Sequence, residues 1–147
     1  MVFLAPQPKE KVPAVWSLCD VALVHLKDSP VFAEVIPSKI FEAMAMGLPI
    51  LLIAPKGEAT AIVEADEAGL IVPPENPEAL ADAAIRLARD QTLREKLAKN
   101  ALTAAARHSR EHQANQMMAA IEAAAAGRGD EAGARVEAVQ PPKAPAR

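Results

Sequence analysis

Three short apolar runs dominate the hydrophobic pattern of the chain. They span 21–26, 50–54 and 70–72, and charged residues, proline or glycine follow each of them. Apolar runs of this length, without polar alternation, are typical of strands buried on both faces of a parallel sheet. A fourth run, over 2–5, ends at Pro6 and predicts one further strand.

The segments between and after these runs carry helical signals. Asn76-Pro77-Glu78 places a capping side chain, a proline and an acid in the order that starts a helix. Thr92-Leu-Arg-Glu95 has the form of a capping box, and the pattern after it weakens near His108 and then resumes. We expect helices near Pro13, over 39–46, over 59–68 up to Gly69, over 77–90, and from Thr92 to Ala126 with one interruption.

Strands that alternate with helices predict an α/β fold. The expected architecture is a Rossmann-like parallel sheet with helices on both faces. In such sheets the loops that follow the strands gather at one edge, where ligands bind. The loops 27–38 and 55–58 both follow strands, so we expect them to meet there.

The stretch Glu34-Val-Ile-Pro-Ser-Lys-Ile-Phe-Glu42 carries the candidate chemistry. Pro37 suits the first turn of a helix, and the Ser38 hydroxyl suits its cap. The helix N-terminus, with its free N–H groups and Lys39, predicts an anion site between two carboxylates. Such a site fits a phosphorylated ligand that also carries hydroxyl groups.

The same stretch continues as Ala-Met-Ala-Met-Gly47-Leu-Pro49. Glu-x7-Glu followed by this segment resembles the signature of the family 4 (group 1) retaining glycosyltransferases, which have the GT-B fold. The Pro-Ser-Lys variant resembles members that build bacterial surface polysaccharides, and the resemblance covers about 2–126. It implies sugar transfer, with retention, from a nucleoside-diphosphate sugar, taken as a UDP-sugar, to a glycan or lipid-linked acceptor. It implies neither a metal nor a cofactor.

The resemblance also implies roles for individual residues. Glu42 corresponds to the glutamate that accepts from the ribose hydroxyls, and Glu34 to the catalytic glutamate near the donor sugar. Ser38 and Lys39, after Pro37, correspond to diphosphate contacts, and Gly57-Glu58 to a turn that approaches the donor. Each assignment has a plainer alternative. Glu42 could be a solvated helix acid, Glu34 a loop acid and Ser38 only a helix cap, and Gly57-Glu58 could form an ordinary turn.

The resemblance is incomplete, because the C-terminal half of a GT-B enzyme usually has six strands and only four are predicted here. The first strand pair, its helix and the N-terminal acceptor domain have no counterpart. We therefore expect 1–126 to be a truncated donor-binding domain, inactive in isolation. Residues 127–147 contain three glycines and three prolines, a composition that predicts a disordered tail.

Composition limits the remaining classes of function. The net charge of −3 is spread over both signs, so no basic face for nucleic acid is expected. A single cysteine and the lack of a membrane-spanning apolar run favour a cytoplasmic location, with peripheral attachment at the inner face of the membrane as a further option. No GxGxxG loop supports a nicotinamide or flavin site. His108 and His112, one turn apart, fit a solvated helix face better than a zinc site.

Two alternatives remain open on the sequence. One is a nucleotide-sugar epimerase of the same two-domain architecture, whose patterns of acids and histidines are not seen here. The other is a non-catalytic fragment that binds a nucleotide sugar without turnover.

Overall fold

The computed structural model describes residues 5–125. The predicted strand over 2–5, except Ala5, and the predicted tail over 127–147 lie outside this range. A 3-10 turn at Lys9–Lys11 leads into ten elements. In chain order these are α1 (Val12–Trp16), β1 (Ala22–His25), α2 (Pro30–Ala33), α3 (Ser38–Ala45), β2 (Ile50–Ile53), α4 (Glu58–Ala65), β3 (Gly69–Val72), α5 (Pro77–Arg89), α6 (Gln91–Arg107) and α7 (Arg110–Ala125).

Within this range the three strands form one parallel sheet in the order β1-β2-β3. All four residues of β2 are buried, as a central strand covered on both faces requires. In β1, Ala22 and Val24 are buried, whereas Leu23 and His25 are exposed. The apolar runs over 21–26, 50–54 and 70–72 are therefore confirmed as parallel strands, but the expected burial on both faces holds only for β2.

Two hydrophobic clusters cover the two faces of the sheet. Ile50 and Leu52 face the larger cluster, which includes residues of α3, α4 and α6. Leu51 and Ile53 face the other, to which Leu87 of α5 belongs. Burial of one such side chain contributes about 1.5–3 kcal/mol, so the four buried residues of β2 supply a large part of the hydrophobic stabilisation of the fold. The α/β, Rossmann-like prediction with helices on both faces is confirmed.

Several local predictions were wrong about where helices begin and end. Ser38 is not the cap of α3: Pro37 holds the N-cap position in an extended conformation, and Ser38 is the first helical residue. Asp90, not Thr92, caps α6, because its carboxylate accepts from the N–H of Leu93 at 2.8 Å. The predicted cap at Asn76 is confirmed by its bond from the N–H of Ala79 at 3.0 Å.

The turn between α4 and β3 also differs from the prediction that Gly69 ends the helix. The helix ends at Ala65, and Glu67 takes the left-handed conformation with φ of 45°. Gly69 begins β3, where a Cβ atom would lie 2.0 Å from the carbonyl oxygen of Ile50. Glycine is therefore needed for close packing of β3 on β2.

None of the helices described is both long enough and apolar enough to cross a membrane.

Candidate functional site

The N-terminus of α3 lies between β1 and β2 in the chain and offers free backbone donors. Pro37 supplies no capping side chain, and the N–H of Ile40 bonds back to the carbonyl of Pro37 at 3.1 Å. The N–H groups of Ser38 and Lys39 have no acceptor among residues 5–125. The Lys39 side chain is exposed, so it adds positive charge to this end of the helix.

The Ser38 side chain has a partner within the same helix. Its hydroxyl donates to Oε1 of Glu42 at 3.1 Å, across one helical turn. A serine hydroxyl has one hydrogen to donate, so in this arrangement it orients the Glu42 carboxylate and leaves Oε2 free. Both side chains are exposed, on the side of α3 away from the buried Ile40 and Met44.

The two loops predicted to meet do so at Gly57. A Cβ atom at this position would lie 1.8 Å from the carbonyl oxygen of Ala33, so only glycine allows the observed approach. Glu34 follows Ala33 as the C-terminal residue capping α2, and Glu58 follows Gly57 as the first residue of α4. The Thr60 hydroxyl fixes Gly57 by accepting from its N–H at 2.9 Å and donating to its carbonyl at 2.8 Å.

The predicted site residues thus form two local groups. Ser38 and Glu42 are joined directly, and the backbones that carry Glu34 and Glu58 are brought together by Gly57 packing on Ala33. No hydrogen bond or ion pair within 5–125 joins one group to the other. The side chains of Glu34, Lys39 and Glu58 are exposed and have no such partner in that range.

Sequence reasoning missed the Asp66 cluster, defined here as Asp66, Arg107, His108 and Phe41. The Asp66 side chain is only 9% exposed and binds Nη2 of Arg107 and Nε2 of His108, each at 2.6 Å. The imidazole of His108 also packs against the ring of Phe41, with 5.1 Å between centroids. The expected solvated face at His108 was therefore wrong. Arg107 and His108 lie 41 and 42 positions after Asp66 in the sequence, so no local pattern predicted their contact. The only sequence signal was the predicted helix interruption near His108.

The fold and the site together define an α/β unit consistent with half of a GT-B fold, with two free N–H groups at the start of α3 and the Glu42 carboxylate one helical turn further on. The chain belongs to the family described as glycosyl transferases, group 1, whose pattern matches residues 1–103. It is also 32% identical over 116 residues to a D-inositol 3-phosphate glycosyltransferase of Corynebacterium urealyticum. That match covers 79% of this chain and 26% of the relative, so the chain spans about a quarter of that protein's length. No solved structure is significantly similar to the chain.

Proposed function

We propose that this chain is the donor-binding part of a retaining glycosyltransferase and that it binds a nucleoside-diphosphate sugar, specifically a UDP-sugar. The observation that carries the proposal is the uncapped N-terminus of α3, with two free N–H groups, the exposed Lys39 and the exposed Glu42 carboxylate one turn further along the helix. Membership of the group 1 glycosyl transferases supports a sugar-transfer function for the parent protein.

The diphosphate is assigned to the start of α3. Backbone N–H groups and the positive end of the helix dipole favour an anion there, and Lys39 adds a full charge. Ser38 contributes its backbone N–H, since its hydroxyl already donates to Glu42. Pro37 keeps this helix end open, because it brings no side-chain acceptor.

The two acids receive separate roles. Glu42 accepts from the ribose hydroxyls through the oxygen that Ser38 leaves free. Glu34 faces the donor sugar and stabilises the positive charge that develops on it during transfer. Gly57 and Glu58 form the wall beside the sugar, at a position fixed by the packing of Gly57 on Ala33.

In the parent enzyme, the sugar passes with retention to a glycan or lipid-linked acceptor held by an N-terminal acceptor domain. The α3 N-terminus and Lys39 stabilise the charge on the departing diphosphate, a task that requires donors aimed at the oxygens before reaction. Residues 1–126 act as the donor-binding domain, and the chain alone has no transfer activity. The reaction belongs to surface-polysaccharide biosynthesis in the cytoplasm, at the inner face of the membrane.

Calorimetric titration with UDP in the presence of EDTA tests this proposal. We expect weak binding, at high micromolar to millimolar ligand, without added metal. No binding at millimolar UDP by a sample shown to be folded by circular dichroism would reject the donor site. Binding that required magnesium would reject the role given to the helix end.

A non-catalytic binding module and an epimerase predict different products. A binding module never yields product, even when an acceptor domain is added in trans. An epimerase converts the UDP-sugar itself, which chromatography of the nucleotide sugar detects. Sugar transfer on addition of an acceptor domain supports the glycosyltransferase.

A further inference from the structure

The Asp66 cluster lies outside the proposed donor site but contacts the helix that carries it. Phe41 directly precedes Glu42 in α3, and its half-buried ring packs against His108. Asp66 is the C-cap residue of α4, and Arg107 and His108 stand at the end of α6. The largely buried carboxylate of Asp66 therefore joins α4 to the end of α6, and the contact of His108 with Phe41 joins α3 to both.

The position of Phe41 on α3 gives this contact its consequence. Ile40, Ala43 and Met44 anchor one side of α3 in the core, each with no exposed surface. At about 100° per residue, Phe41 lies roughly a quarter turn around the helix from Ile40, between the buried side and the side that carries Ser38 and Glu42. Phe41 also packs against the larger core cluster, and its contact with His108 adds a second restraint on rolling of the helix at that angle.

We infer that His108 is a positioning residue: Asp66 holds its imidazole, the imidazole holds Phe41, and α3 is thereby kept in the orientation that directs Ser38 and Glu42 toward the donor. This inference rests on the proposed function for the identity of the ligand. The claim that His108 orients α3 does not depend on a ligand, because the orientation can be measured without one.

Three substitutions at His108 separate the two contacts. His108→Gln keeps a donor for Asp66 and removes the ring. His108→Phe keeps a ring for Phe41 and removes the donor. His108→Ala removes both. The matched control is Lys96→Met, which removes an exposed ion pair between α6 and Glu67, the residue after Asp66, without reaching Phe41.

The measurements are the assigned backbone amide NMR signals of residues 38–42 in the 147-residue chain, its melting temperature, and its UDP affinity by calorimetry. We expect His108→Gln to shift these signals and to weaken UDP binding about three- to ten-fold, because a rotated α3 partly loses the charged hydrogen bond that Glu42 makes to the ligand in the proposed function. We expect His108→Phe, which keeps a ring but loses its bond to Asp66, to shift the signals and weaken the affinity less than His108→Gln does, although its melting temperature falls. Lys96→Met should change neither the signals nor the affinity.

A purely structural His108 gives the opposite ranking. In that case His108→Gln, which preserves the Asp66 bond, keeps wild-type stability and affinity. The signals of residues 38–42 then shift only in the variants whose melting temperature falls. Unchanged signals in all three variants overturn the inference as well. If the signals move as expected but wild type does not bind UDP, the positioning of α3 stands and the donor assignment fails.

Discussion

At the scale of single residues, the two central acids differ in their surroundings. Glu42 lies on a helix and accepts from the Ser38 hydroxyl at 3.1 Å. Glu34 follows the short helix α2 and has no hydrogen-bond or ion-pair partner within residues 5–125. A pre-oriented carboxylate suits a fixed ribose, whereas a less constrained one suits a sugar whose charge changes during reaction.

Substituting the two acids should give an asymmetric result. In the proposed function, Glu42→Gln replaces a charged acceptor for a ribose hydroxyl, a bond that would contribute about 1.5–3 kcal/mol, so UDP affinity should fall about ten-fold or more. Glu34→Gln should leave UDP affinity nearly unchanged and abolish turnover once an acceptor domain is supplied. Calorimetry with UDP checks the first two outcomes. Equal weakening by both substitutions would mean that the acids act together on the nucleotide.

The Ser38 hydroxyl should act through Glu42, whereas only the backbone N–H of Ser38 should contact the diphosphate. Ser38→Ala should weaken UDP binding about two- to five-fold, less than the loss of a hydrogen bond between a charged group and the ligand, because the Ser38 hydroxyl only orients the Glu42 carboxylate. The loss should largely disappear when Glu42→Gln is already present, and a double-mutant cycle measures this coupling. Additive losses would instead place the Ser38 hydroxyl on the ligand.

The ion pair between Lys96 and Glu67 makes a prediction about pH. Hydrogen bonding to Lys96 and then its charge hold the pKa of Glu67 below the usual range. Because the folded-state pKa is the lower one, the stabilisation is present above the usual carboxyl pKa and is lost as the pH falls through the lowered value. In Lys96→Met the pKa should return toward the usual range, as a carbon-13 titration of the carboxyl reports. About 1 M salt should shrink the shift in wild type, because both groups are exposed.

At the scale of elements, the three strands within residues 5–125 were predictable, whereas several helix ends were not. Burial of β2 on both faces requires four consecutive apolar residues, so Ile50–Ile53 is visible as a run. Helix ends depend on single hydrogen bonds for which neighbouring residues compete. Ser38 could have capped α3, but Pro37 took that position and the hydroxyl turned to Glu42. The single-turn helix α2 was missed because Pro30–Ala33 is too short to show a period.

The candidate site was predictable to the same extent. The order of strands and loops was enough to bring 27–38 near 55–58, since both follow parallel strands. The closeness of that approach was not predictable, because it depends on the backbone of Gly57 meeting the carbonyl of Ala33. The Asp66 cluster was not predictable either, since its contacts join residues from three helices far apart in the chain.

Gly57 should set the spacing of the two loops. Gly57→Ala places a Cβ where the Ala33 carbonyl now lies, so the loops must separate, at a cost of about 1–3 kcal/mol for overpacking. Because Glu34 follows Ala33, affinity for UDP-sugars should fall more than affinity for UDP. Calorimetry with UDP and a panel of UDP-sugars compares the two.

Gly47→Ala is the control for Gly57→Ala. Gly47 has φ of 64°, so alanine there costs about 1–2 kcal/mol, but its Cβ would meet nothing closer than 3.8 Å. This variant should lose similar stability while its folded form keeps wild-type affinity for both ligands. Equal effects of the two variants on UDP-sugar binding would remove the special role of Gly57.

At the scale of the whole molecule, the buried core of residues 5–125 ends before α7. Leu97, Ala101 and Ala104 of α6 are buried, whereas α7 has no buried residue and exposes Met117, Met118 and Ile121. Stability should therefore depend on the chain as far as the Asp66 cluster at 107–108 and only weakly on the residues after it. Composition adds that 127–147 have only Val136 and Val139 as large apolar residues, which favours a dispensable tail.

Three truncations test where the folded unit ends. Removal of 126–147 should leave UDP affinity unchanged and move the melting temperature by no more than about 2 °C, since little apolar surface is lost. Removal of 110–147 also deletes α7 and should have only a small further effect. Removal of 107–147 deletes both partners of the largely buried Asp66. An uncompensated buried charge costs about 3–5 kcal/mol, so the melting temperature should fall by roughly 10 °C or more.

Calorimetric melting of the three truncated proteins gives the ranking of their stabilities. A large loss on removal of 126–147 would show that the tail packs on the domain, and equal stability of all three would show that the Asp66 cluster contributes little to the fold.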